Sequence, residues 1–211
     1  MAARIVDEVP FGFGWLEESS FMRRCSHALA VDGRVWILDA IADEQALERL
    51  ASLGEPAGVV QLLDRHNRDN AAVAERLGVP LHVVPWEPPP GAAFEIVPLV
   101  RNRFWREVAL WFPALRTLVV AEALGTAQFF RAPQDRVGIS PPLRLTPPRR
   151  LLAFEPEHLL VGHGEGLEGD VAGAIRDAVD HSRSRIGSWL WAGLRAHGPG
   201  GTHPIRRGRN G

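Results

Sequence analysis

The fold class of this chain is narrowed first by Asp32-Gly33, which stands between two runs rich in Ala, Leu, Val, Trp and Ile at residues 26–31 and 35–38. Asp-Gly between strand-forming runs is the chemistry of a tight hairpin, because the turn needs positive φ and glycine adopts it without steric cost. Asp43 then caps a helix carrying Leu47, Leu50 and Leu53 on one side, stopped by Gly54 and Pro56. Residues 59–63 are apolar except for Gln61, the composition of a strand covered on both faces. A polar knot, Asp64-Arg65-His66-Asn67-Arg68-Asp69-Asn70, leads into a short helix with Val73 and Leu77, ended by Gly78, and residues 81–84 form the next strand. A hairpin followed by helix–strand–helix–strand units reads as layered α/β.

Beyond Pro88-Pro89-Pro90, residues 94–99, 107–112 and 117–121 read as short strands. Residues 131–150 are rich in proline and arginine and read as a surface excursion. A last strand at 157–161 runs into Gly162-His163-Gly164-Glu165-Gly166. Val171, Ile175, Val179, Ile186, Leu190 and Leu194 follow helical spacing, which predicts a helix over 168–195. Tryptophans 36, 111, 189 and 191 sit on apolar faces and read as core, while Phe104 and Trp105 follow Arg101 and Arg103 in a loop beside a pocket or in packing. The organisation is therefore one domain over residues 1–197 and a flexible Gly- and Arg-rich tail over 198–211. A chain of 211 residues buries about 70% of its unfolded surface and needs no disulfide to hold a core.

Composition removes several chemistries. All 24 basic residues are arginine, so lysine-dependent phosphate binding, Schiff-base chemistry and lysine-dependent phosphoryl transfer are excluded, and with no tyrosine there is no tyrosine acid or base. The 24 basic residues against 25 acidic ones argue against a nucleic-acid partner. Cys25 is the single cysteine, which rules out an internal disulfide and a cysteine-rich zinc site; next to Ser26 and His27 it reads as a buried thiol on a strand rather than a nucleophile. No run approaches the ~18 apolar residues that span a bilayer, and the start has no secretory pattern, so the chain reads as cytoplasmic, with no membrane partner. There is no Gly-x-Ser-x-Gly elbow and no His-Glu-x-x-His. A doubly wound nucleotide-binding fold would want a glycine loop after Asp39, where the chain reads Ala40-Ile41-Ala42.

A strand ending in Ile37-Leu38-Asp39, an apolar strand, the polar knot, Leu118-Val119-Val120-Ala121-Glu122, and Leu160-Val161-Gly162-His163-Gly164 before terminal helical sequence follow one another over roughly residues 4–195. In this order the chain resembles the metallo-β-lactamase fold superfamily. The resemblance implies a four-layer αββα sandwich whose members mostly hydrolyse substrates with two zinc or iron ions at one edge of the sheets. It also implies ligand stations: a His-x-His-x-Asp-His motif, a lone histidine, an aspartate closing a strand, and a histidine in a glycine turn. With Asp69 as the motif's Asp, Arg65, Asn67 and Asn70 fall on its histidines, and His66 on a variable position. No histidine lies between His82 and His158 to serve as the lone one, and the closing aspartate becomes Glu122.

The metal candidates are thus His66, Asp69, Glu122 and His163. Asp69 also reads as a helix N-cap, Glu122 as an arginine-paired carboxylate, His163 as a turn residue, and Asp39 as a structural acceptor beside the sheet edge. A guanidinium never deprotonates in a protein, and at about 4 Å and an effective dielectric near 20 an inward Arg65 would repel a divalent ion by roughly 8 kcal/mol. No cofactor is therefore expected, with zinc at most at low occupancy. The expected function is a non-hydrolytic protein that takes a small, uncharged or anionic ligand in the old active-site cleft through Arg65, Arg68, Arg101 and Arg103. The alternative is a hydrolase of esters, thioesters or lactones with one weakly held metal; a third reading is a purely structural protein.

Overall fold

A computed structural model describes residues 3–19 and 21–197, so the tail reading at 198–211 lies outside the described residues. The hairpin forms at Asp32-Gly33, with both residues at positive φ (51° and 76°). It belongs to a six-stranded sheet of β1 (Arg4–Val9), β2 (Gly12–Leu16), β3 (Cys25–Val31), β4 (Arg34–Leu38), β5 (Glu55–Gln61) and β6 (Leu81–Val83), in that spatial order. The first four strands pair antiparallel, and β4–β5–β6 pair parallel through two crossover helices, α1 (Glu44–Leu50) and α2 (Asn70–Leu77).

A five-stranded sheet faces it. This contains β7 (Glu95–Arg101), β8 (Arg106–Phe112), β9 (Thr117–Val120), β12 (His158–Val161) and β13 (Leu167–Glu168), with a small pair, β10 (Leu124–Gly125) and β11 (Gly138–Ile139), between β9 and β12 in the chain. The spatial order is β13-β12-β9-β8-β7, with β9 and β12 parallel. Two further helices, α3 (Val171–His181) and α4 (Ile186–His197), close the described chain.

Side-chain alternation turns the sheets into four layers. Trp36 and Leu38 of β4, with Val60 of β5, point inward against Val108, Leu110 and Phe112 of β8. Their neighbours Val35, Ile37 and Val59 point outward under Leu47 and Leu50 of α1 and Val73 of α2. On the other sheet Leu118, Val120, Leu159 and Val161 point outward under Ile175 and Val179 of α3. Strands buried on both faces explain the near-continuous apolar runs of the sequence, and the result is an αββα sandwich. Among the described residues no helix is long and apolar enough to cross a membrane.

Several expectations change. The Gly- and Phe-rich start supplies β1 and β2, and all of β2 is buried. Residues 131–150 are not a surface excursion: Ala132, Val137, Ile139 and Arg144 are buried. Arg144 donates to Phe130 O (2.6 Å) and lies 3.8 Å from the Asp135 carboxylate, so a charge that reads as surface is neutralised inside. The strand at 158–161 is followed by the short β13. The terminal helix is two helices, parted where Ser182 Oγ donates to Arg144 O and Arg185 pairs with Asp177 and Asp135. Trp191 is about half exposed (52%) rather than core.

Asp43 caps α1 as read from the sequence: one carboxylate oxygen accepts from Ala46 N–H (3.0 Å), and the other accepts from Ala3 N–H (2.8 Å). Replacing it by alanine (Asp43→Ala) should cost about 1–2 kcal/mol, the upper part of the range for a helix cap, because the start of β1 is untied as well. Urea denaturation should show a lower midpoint with an unchanged slope.

Candidate metal centre

The parallel strands β4, β5, β9 and β12 all run toward one edge of the sandwich, and the residues just beyond their ends meet there. Asp39 follows β4 with φ of 48° and donates its own N–H to Val60 O (2.9 Å), lacing β4 to β5. One of its buried carboxylate oxygens accepts from Leu62 N–H (2.9 Å), and the other faces His66 Nδ1 at 2.9 Å. Burial alone would raise this carboxyl's pKa, but His66, Arg68 and the Leu62 N–H outweigh it and hold it below its usual value.

The polar knot is a set of backbone fasteners. Asn70 Oδ1 accepts from Ala40 N–H (2.6 Å), while its amide donates to His66 O (2.7 Å) and Asn67 O (2.9 Å). The turn so fixed aims His66 Nε2 at His163 Nε2, 3.1 Å away, with Glu122 Oε2 at 3.7 Å. His163 comes from the turn after β12, where Gly162 is required because an added Cβ would lie 2.4 Å from Ala121 O. Its Nδ1 lies 3.0 Å from Met22 O, and its ring stacks on Phe130 with centroids 5.3 Å apart. Burial, then the positive charges of His66 and Arg68, push His163 down to about 3, so it stays neutral.

The tautomers follow from these partners. A carbonyl oxygen only accepts, so the proton of His163 is on Nδ1, and the Asp39 carboxylate likewise draws the His66 proton to Nδ1. The two Nε2 atoms therefore face one another, with a carboxylate oxygen beside them. The three ligand atoms lie within 4.8 Å of one another. Two histidines and a glutamate form a donor set known for catalytic zinc, with a position left for water.

Glu122 is placed by a residue that sequence reasoning missed. Glu107 is fully buried; its Oε1 accepts from the backbone N–H groups of Glu122 (2.8 Å) and Ala123 (2.7 Å), and its Oε2 accepts from Trp105 Nε1 (2.8 Å). Burial pushes its carboxyl up to about 7 despite those three donors. No motif marks Glu107; the only signal was an acidic residue opening an apolar strand.

The structure separates the arginines. Arg65 donates to Glu122 Oε1 (3.0 Å) and lies over the Trp105 ring at 4.2 Å, with 42% of its side chain exposed. Arg68 turns beneath the site and donates to Cys25 O (2.6 Å), Asp39 O (2.8 Å) and Gly162 O (2.9 Å). Arg101 stacks on Trp86 and the exposed Arg103 on Phe104, and the structure gives neither a hydrogen bond nor an ion pair to the histidine–glutamate cluster among the described residues. Asp69 stays outside the cluster too. It holds the N-cap position of α2 without capping it, because its carboxylate accepts from Ala42 N–H (2.8 Å) instead. Cys25 is fully buried on β3, and burial together with Asp7 pushes its thiol well up, away from a nucleophilic thiolate.

No protein-family model matches the sequence. No curated protein matches it either. Solved structures do match in fold. A metallo-β-lactamase from Pontibacter korlensis superposes with a TM-score of 0.59 at 9% identity, over 86% of this chain and 99% of that one. One from Hirschia baltica gives 0.58 at 8%, over 85% and 98%. The DIM-1 metallo-β-lactamase, in a structure exposed to ceftazidime, gives 0.55 at 12%, over 88% and 96%.

Arg68 is the fastener beneath this edge, so Arg68→Leu should destabilise the fold by about 3 kcal/mol, the scale of a lost charge-assisted contact to buried acceptors. Chemical denaturation of the variant against the parent measures it.

Proposed function

We propose, with the metallo-β-lactamase fold of this chain as premise, that it holds one zinc ion on His66, Glu122 and His163 and hydrolyses an ester, thioester or lactone that carries an anionic group. The observation that supports this most is the pair of Nε2 atoms facing each other at 3.1 Å, each with its Nδ1 bound to an acceptor. A proton shared between them makes this contact a hydrogen bond, and a cation that displaced the proton would be held by both lone pairs. The carboxylate–histidine contact at Asp39 is the arrangement that orients a metal-ligating ring and raises its basicity.

Bound zinc supplies Lewis acidity and brings the acidity of water near neutral pH. The residues do the rest. His66 and His163 hold their rings without rotation, because both Nδ1 atoms are engaged. Glu122 divides its two oxygens between Arg65 and the cluster. Arg65 stands at the mouth of the site on Trp105, where a guanidinium meets a substrate carboxylate or phosphate in two parallel hydrogen bonds. Its exposure changes the sequence-based energy. With solvent screening near that of water, a divalent ion at about 4 Å meets roughly 2 kcal/mol of repulsion rather than 8, and Glu122 lies between them.

The second reading keeps the cleft and drops the reaction: a binding protein in which Arg65 replaces the metal's charge. The Arg65–Glu122 pair favours it, since it occupies one oxygen of the only carboxylate in the cluster.

Elemental analysis and zinc titration separate the two. The first reading expects one equivalent on this cluster, lost in His163→Ala and weakened roughly 10–100-fold in Asp39→Asn. Zinc-dependent hydrolysis of an activated ester should follow the same order. Arg65→Ala should raise KM for an anionic ester by roughly 10–100-fold with little change for a neutral one, the worth of about 1.5–3 kcal/mol. Zinc uptake by the parent that His163→Ala leaves unchanged, or none by either, would remove the hydrolytic reading and leave the binding one.

A further inference from the structure

A second group of donors lies away from that cluster. Cys25 and His27 stand two residues apart on β3, hence on one face of it. Asp7 reaches the same point from β1, across β2. Two local features make that reach possible. The β1–β2 register shifts between Val6 and Val9, and Asp7 within the bulge takes φ of 53°. The intervening residue is Gly14, which pairs with Val6 on one side and His27 on the other. A Cβ on Gly14 would lie 2.9 Å from His27 Cδ2 and 3.1 Å from Asp7 Oδ2, so only glycine leaves the gap through which side chains two strands apart meet.

The contacts within the group converge on one point. His27 Nε2 is 3.0 Å from Asp7 Oδ2 and 3.5 Å from Cys25 Sγ, and Sγ lies 4.0 Å from Oδ2. A tetrahedral zinc with ordinary bond lengths would set N and O about 3.3 Å apart, S and N about 3.6 Å, and S and O about 3.5 Å. A nucleophilic triad is built differently: the thiol would address one ring nitrogen and the carboxylate the other. Here a single nitrogen faces both partners, and Cys25 is fully buried, out of reach of a substrate. The other Asp7 oxygen accepts from Gly166 N–H (2.8 Å), which orients the carboxylate from behind. A cavity of about 320 Å³, lined by Asp7, His158 and Glu165 among others, lies on the Asp7 side of the group.

We propose that Asp7, Cys25 and His27 form a separate site for one thiophilic divalent ion, zinc by its donor set, which fastens β1 to β3 across β2 and, through Gly166, to the loop that carries His163. It is independent of whether the histidine–glutamate cluster is hydrolytic.

Cobalt(II) tests it without interference, because Cys25 is the only sulfur ligand of the thiol type in the chain. Titrating cobalt into the full-length protein after dialysis against chelator should build a near-ultraviolet thiolate-to-cobalt charge-transfer band that saturates at one equivalent. The band should be absent in Cys25→Ser, need roughly tenfold or more cobalt in Asp7→Asn, and persist in His163→Ala. Cobalt binding to the folded parent without that band would overturn the proposal, as would no binding at all. The parent titration decides even where Cys25→Ser does not fold, and the band in His163→Ala keeps this outcome distinct from that of the other cluster.

Discussion

The carboxylate of Asp39 sits where the sandwich and its site are joined. One oxygen takes the first free N–H beyond β5, and the other takes the Nδ1 side of His66, so a single buried charge closes a strand pair and aims a ring. It can remain charged inside the protein because His66, Arg68 and the Leu62 N–H offset the cost of burial. Without that charge the loop from Leu62 to His66 would keep only the Asn70 contacts to Ala40 N–H and His66 O as its tie to that sheet.

Much of the fold was legible because burial on both faces leaves a mark on composition. The hairpin at Asp32-Gly33, the Asp43 cap, the Gly78 stop and the doubly covered β5 were all visible as local chemistry. Where the reading went astray, local chemistry pointed one way and tertiary neutralisation the other. Arg144 reads as surface until Phe130 O and Asp135 are placed around it, and Trp191 reads as core on a helix whose face stays partly open.

The site was legible only in part, for a geometric reason. Sequence spacing put Asp69 at the centre of a motif and His66 beside it. In space the knot turns on Asn70 and on the hydrogen bond from His66 N–H to Leu63 O, which brings His66 inward and leaves Asp69 to hold Ala42 N–H. One residue of register exchanges the facing side chain, and spacing alone does not fix that register. Glu107 is invisible for the same reason: what it does depends on the N–H groups of a strand end sixteen residues away at Ala123.

The two imidazoles belong to opposite sheets, His66 after β5 and His163 after β12, so their separation measures how far one sheet has slid along the other. Arg68 crosses that seam, with Cys25 O and Asp39 O on one side and Gly162 O on the other. It works as a shear pin. Sliding of the layers at the edge where the rings meet would have to break these three hydrogen bonds, so the gap between the rings is tied to a single guanidinium.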